Sequence, residues 1–244
     1  MTHTHKINPT VLAEQKSWGE EKNEQYFEQF RSKPEDLYRS EKFFLPDVLK
    51  CISSCLDVGC ACGGFSAIMK SFNPKLAYAG VDITPRFIEI AQEKYPDSRF
   101  SVADATNLPW GDNSFDLVHC SGILHLTSFY KEIVSEMYRV SSKYVLCDFR
   151  FTEGPQKKGI MKTNLSGQTA DAQTLPYLVI NFKDHVEFLK SLTPAPASIE
   201  VKGYSHPPTK LAEVDINEII MAFVLIEKGN AKTQETKITI NLKA

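Results

Sequence analysis

No apolar run in this 244-residue chain approaches the roughly 20 residues that a membrane-spanning helix needs. The opening stretch, MTHTHKINPT, lacks the charged-then-apolar layout of a secretory leader. A soluble, cytoplasmic protein without disulfides is therefore expected, with no membrane partner. Excess charge of either sign is also missing: 28 Lys and Arg face 30 Asp and Glu, a formal net charge of −2. That balance gives no broad basic surface for duplex nucleic acid, so none is expected as a partner. The six cysteines lack paired C-x2-C knuckles; Cys51, Cys55, Cys60 and Cys62 follow a C-x3-C-x4-C-x-C pattern instead. Buried or loop-packed thiols are expected rather than a metal site.

What is present fits one sizeable domain with ordinary globular composition, 42% apolar and 24% charged. Residues 1–45 read as an N-terminal helical cap, in which Trp18, Tyr26, Phe27 and Phe30 supply aromatics. A helix is expected from Pro34, split or kinked at Pro46. From residue 46 the chain alternates short apolar strands with amphipathic helices, which predicts a parallel sheet covered on both faces. Strands are expected at 55–59, 77–83, 99–105, 115–121 and 143–149, with helices at 63–72, 85–95 and 128–140. Residues 151–182 interrupt that rhythm and read mainly as a loop-like insertion, a candidate lid. A helix over 183–192, capped through Asp184 and Glu187, and strands at 198–204 and 218–229 complete a domain ending near residue 230. Residues 231–244 read as a polar tail.

Ligands of an open parallel sheet bind beyond the carboxyl ends of its strands. The first strand-to-helix turn, LDVGCACGGFS (56–66), falls there and is dense in small residues. Small residues let backbone turn sharply and approach a ligand closely. Gly59, Ala61 and Gly64 match a dinucleotide G-x-G-x-x-G only loosely. Asp57, Asp82 and Asp104 stand at three successive strand ends, and a nearby acid opposes a pyrophosphate. Three acids there suit a ligand rich in hydrogen-bond donors and positive charge. Each also has a plain structural alternative: Asp57 and Asp82 as helix caps, Asp104 as a solvated loop acid.

The series LDVGCACGG, GVDIT and VADATNLPWGDNSFDLV resembles the class I S-adenosylmethionine-dependent methyltransferases, in the small-molecule branch, over about residues 50–150. The resemblance implies a Rossmann-like, mixed seven-stranded sheet with helices on both faces and an N-terminal helical lid. It also implies S-adenosylmethionine as cofactor, with Asp57, Gly59, Ala61 and Gly63 lining its methionine part. Asp82 would hold the ribose hydroxyls, Ile83 and Ala105 would lie against adenine, and Asp104 would accept from the adenine amine. Cys120 and Ser121 would border the sulfonium. Ala61 departs from the usual glycine, which the loop tolerates if its backbone angles are ordinary. RVSSKYVL lacks the Pro-Gly-Gly turn often found before the fifth strand.

In-line methyl transfer to a small natural product, sugar or lipid-like acceptor is the expected activity. A nicotinamide-dependent oxidoreductase and a non-catalytic nucleoside-binding protein are the alternatives. Methyl transfer needs a general base only for a protonated nucleophile. His125, near the end of the fourth strand, is the candidate, with simple packing as its alternative. His119 is expected to be buried in mid-strand.

Overall fold

The computed structural model describes residues 7–19, 27, 31–162, 174–230 and 235–243. Tyr26, Phe30 and the middle of the 151–182 insertion lie outside these residues. At the N-terminal side, α1 (Pro9–Gln15) starts where the Asn8 side chain accepts from the Thr10 amide, and Pro9 opens the helix. The helix expected from Pro34 is instead two 3₁₀ turns, Pro34–Asp36 and Glu41–Phe43, followed by α2 (Leu45–Lys50). Pro46 does not kink a helix; it lies in the first turn of α2, where its missing N–H costs nothing.

The alternating region runs β1 (Ser54–Val58), α3 (Gly64–Phe72), β2 (Ala77–Asp82), α4 (Pro85–Lys94), β3 (Arg99–Val102), β4 (Phe115–Cys120), α5 (Tyr130–Val140) and β5 (Ser141–Thr152). It continues through β6 (Lys157–Lys162), β7 (Thr174–Asn181), α6 (Phe182–Lys190), β8 (Ser198–His206), β9 (Ala212–Glu213), β10 (Ile219–Glu227) and β11 (Lys237–Asn241). The main row is β11-β8-β10-β5-β4-β1-β2-β3. Its first five strands in chain order are parallel, and β10 lies antiparallel between β5 and β8. This is the mixed, Rossmann-like α/β architecture, with the seven expected strands and β11 added at one edge.

Two expectations are corrected. The insertion is not only loop: β6 and β7 pair antiparallel, and β7 joins β5 at Phe151 and Ile180. The polar tail, given no role from the sequence, contributes a strand: β11 pairs in parallel with β8, Ile238 beside Ile199 and Ile240 beside Val201. All five β11 residues are exposed, so main-chain pairing along the β8 edge holds it rather than burial. The cap of α6 also moves: Asn181, extended, accepts from the Asp184 amide at 2.9 Å.

Strand alternation divides the core between the two sheet faces. Leu56, Val58, Val118, Cys120, Val145, Cys147 and Phe149 pack toward α5 and α6, while Cys55, Leu117 and Leu146 pack toward α2 and α3. On the first of these faces His185 is 1% exposed among Phe149, Phe151, Tyr130 and Phe188, and neither ring nitrogen has a hydrogen-bond partner. Burial holds its pKa down at about 3, so the ring is neutral there. Unsatisfied buried polar atoms cost about 1–3 kcal/mol. His185→Leu is therefore expected to raise stability by about 1 kcal/mol or more, read as a higher urea midpoint at unchanged slope.

Candidate ligand-binding site

The turn from β1 into α3 has an unusual backbone for its composition. Gly59, Ala61 and Gly63 all have positive φ, at 75°, 45° and 82°. The Ala61 angle is not an ordinary one for a residue bearing Cβ. Its amide donates to Asp82 Oδ2 at 3.0 Å, which fixes the loop against the end of β2. The Gly59 and Cys60 amides donate to the Val81 carbonyl at 2.7 and 2.9 Å. A Cβ at Gly59 would overlap Ile123, and one at Gly63 would press on Phe100 and Tyr95.

That turn forms one wall of a cavity of about 720 Å³ beyond the carboxyl ends of β1, β2, β4 and β5. Gly59, Ala61, Asp82, Ile83, Ala105 and Ser121, all singled out from the sequence, line its outer part. Trp18, Phe27 and Phe87 close over this part as an aromatic cluster, Trp18 edge-on to Phe27 at 5.4 Å and Phe27 tilted against Phe87 at 5.3 Å. Asp82 Oδ1 accepts from the Thr84 amide at 2.9 Å, and burial raises the carboxyl pKa. Each oxygen takes one backbone bond and the Thr84 side chain also bonds the carboxylate, so of about four lone-pair sites at least one stays open to a ligand.

Asp57, Gly63, Asp104 and Cys120 are not among the lining residues. Asp57 is 2% exposed; it accepts from Tyr78 Oη at 2.6 Å and from His119 Nδ1 at 2.8 Å. His119 Nε2 donates to Glu41 at 3.0 Å, and Arg31 pairs with Glu41 and donates to Ser121 Oγ. Burial opposes the charge on His119, but the hydrogen bonds and charges of Asp57 and Glu41 outweigh it and lift the pKa to about 9. This chain of charges ties the segment at residues 31–41 to the tips of β1 and β4. Asp104 is 1% exposed and accepts from both Thr106 donors and from the Asn8 amide, which anchors the start of α1. Gly63 caps α3, and Cys120 is a fully buried thiol whose pKa burial raises.

The inner part of the cavity holds residues that sequence reasoning missed. Arg150, Tyr38, Tyr177 and Tyr204 line it, with Met161, Met221 and Leu211 as apolar wall. Arg150 had a signal: it breaks an apolar strand, and Asp148 precedes it on the same face. Tyr38, Tyr177 and Tyr204 carried none, since only folding brings them together. His125 lies here too, 5% exposed, edge-on to Tyr177 at 5.5 Å, with Nδ1 unpartnered. Burial, reinforced by the Arg150 charge, takes its pKa down to about 3. The ring is thus a neutral hydrogen-bonding group and a weak proton acceptor.

Residues 56–144 match the family model described as a methyltransferase domain. A demethylmenaquinone methyltransferase of Deinococcus radiodurans is 32% identical over 101 residues, which is 38% of this chain and 42% of that protein. An SAM-dependent methyltransferase from Methanosarcina mazei superposes with a TM-score of 0.55 at 19% identity, over 79% of this chain and 98% of its own. The N-terminal domain of EvdMO1, crystallised with SAH bound, gives 0.56 at 16% identity over 80% and 81%. Residues 56–144 are thus similar to a methyltransferase domain, on a fold shared with these solved structures. The match spans about two fifths of the length of the Deinococcus relative.

Proposed function

We propose that the protein transfers a methyl group from S-adenosylmethionine to a small, largely apolar acceptor held in the inner cavity. The observation that carries this reading is the outer cavity: a cradle of positive-φ backbone faces a half-buried carboxylate with acceptor capacity to spare. That donor set fits an adenosyl group whose ribose presents two hydroxyls. In this reading Asp82 accepts from the ribose, Ile83 and Ala105 pack on adenine, and Gly59 and Ala61 admit the methionine portion. Asp57, Gly63, Asp104 and Cys120 then act as positioning residues from behind the lining. The apolar wall supports an apolar acceptor. The demethylmenaquinone relative is named for such an acceptor.

When bound, the cofactor supplies a methyl carbon already activated by positive sulfur. The chain's share is orientation and exclusion of water, which can contribute on the order of 7–11 kcal/mol. Trp18, Phe27 and Phe87 shield the outer cavity, and neutral His125 offers a hydrogen bond to orient the acceptor. Its depressed pKa favours an acceptor that is nucleophilic without prior loss of a proton. Among the described residues no helix is long and apolar enough to cross a membrane.

Calorimetric titration tests the donor. S-adenosylmethionine and S-adenosylhomocysteine are expected to bind at micromolar concentration and NADH not at all. Asp82→Ala, which strands the Ala61 and Thr84 amides and removes the ribose partner, is expected to weaken S-adenosylhomocysteine by about 1–3 kcal/mol. Unaltered affinity would remove Asp82 from the site.

A further inference from the structure

We propose that the inner cavity selects ligands with a single carboxylate on an apolar body, and that Arg150 is the residue that binds this carboxylate. The proposal deepens the methyltransferase reading and rests on it for calling the ligand the acceptor. Arg150 is 6% exposed and lines the cavity. Its Nη1 donates to Asp148 Oδ2 at 2.6 Å and weakly to the Phe149 carbonyl at 3.4 Å. The Tyr177 hydroxyl also interacts with the guanidinium. A guanidinium carries five N–H donors in a planar fork, so these three partners leave two for a ligand. Asp148 is itself committed: 1% exposed, it accepts the Gly122 amide on Oδ1 at 2.6 Å. The pair is therefore locked on the protein side and open on the cavity side.

The surrounding charge favours an anion. Lys210 stands at the cavity wall, and Arg39 lies 5.7 Å from the Tyr204 ring. Among the described residues neither has an acid within ion-pair distance. Asp148 offsets Arg150, which leaves Lys210 as the unpaired cation of the described lining, with the exposed Arg39 behind Tyr204 rather than on the wall. A monoanion matches this balance, because the buried fork is already shared with one carboxylate. A phosphate dianion would need a second buried cation beside Arg150. Fork-to-carboxylate pairing is directional, so it also orients the ligand. Tyr38, Tyr204, Met161 and Met221 then offer flat and adaptable walls for its apolar body.

The test uses wild-type protein, with and without saturating S-adenosylhomocysteine, titrated with 4-hydroxyphenylacetate, indole-3-acetate and decanoate and with their primary amides. At least one acid is expected to bind tenfold or more tightly than its amide. In Asp148→Asn/Arg150→Gln, which removes both charges and leaves neither ion unpaired, that preference is expected to vanish. Equal binding of acids and amides, no binding of any acid, or a preference that survives in the double variant would overturn the proposal. So would a double variant that loses S-adenosylhomocysteine while keeping its acid preference, since Arg150 would then serve the donor. Carboxylate preference in a protein that fails to bind S-adenosylhomocysteine would uphold this site and remove only the methyltransferase reading.

Discussion

His119→Leu is expected to destabilise the protein by about 3–5 kcal/mol, the range for removing one partner from a buried ionic cluster. His119 is 0% exposed and lies between two carboxylates, Asp57 at 2% and Glu41 at 0%. Leucine fills the space but leaves both acids without their shared donor. Tyr78 and Arg31 each retain one of them, so the cluster is weakened rather than emptied. The variant also isolates a pH effect. In the fold His119 titrates near 9, against an ordinary value near 6.5, so the folded state binds the extra proton. Its contribution is complete below pH 6.5 and is lost as pH rises through 9, about 3 kcal/mol in all. His125 and His185 act in the opposite range. Their pKa values near 3 mean that the unfolded chain takes up their protons first, which lowers stability as pH falls below 6.5. Wild-type stability is thus expected to peak near pH 6.5, by urea unfolding at pH 5, 6.5, 8 and 9. In His119→Leu the decline from 6.5 to 9 should disappear. An alkaline decline of the same steepness in both proteins would assign it to other groups.

Gly59→Val is expected to cost on the order of a hundredfold in S-adenosylhomocysteine affinity. At φ 75° any Cβ is strained, and a branched one most of all. The new side chain would also occupy the space of Ile123, which lines the same cavity. Either Ile123 swings into the ligand space or the loop retreats from it and breaks the amide bonds to the Val81 carbonyl. The two causes separate in a double-mutant cycle with Ile123→Ala. Gly59→Ala alone should bind weakly, and Gly59→Ala/Ile123→Ala should recover the steric part but not the backbone strain. Affinity of Gly59→Val within threefold of wild type would mean that no ligand approaches this turn.

The parallel half of the sheet and the glycine turn were legible because their causes are local. Doubly buried strands are short apolar runs, and the turn needs small residues within five positions of one another. Asp82 and Ile83 could be placed by counting from that turn. The role of Asp57 could not: its partner His119 lies 62 residues away, His119 in turn meets Glu41 at a separation of 78, and nothing along the chain marks Glu41 as buried. Likewise Asp104 looks like a free loop acid until the Asn8 amide, 96 residues distant, is seen to bind it. β11 was illegible for a different reason. Ile238, Ile240 and Leu242 alternate as in a strand, but the strand's residues stay exposed and its partner β8 lies about 40 residues earlier, so the alternation alone assigned it no place. Arg150 was within reach, since a charge inside an apolar strand demands a partner or a purpose, and Asp148 two residues earlier supplies the partner.

An adenosyl group in the outer cavity, with its ribose on Asp82, is the expected result of a crystal structure of the full chain grown with S-adenosylhomocysteine. Density for the nucleoside is expected between Asp82, Ile83 and Ala105, with both ribose hydroxyls within hydrogen-bond distance of the Asp82 carboxylate. An empty cleft at saturating ligand, or a nucleoside bound with its ribose turned away from Asp82, would contradict it.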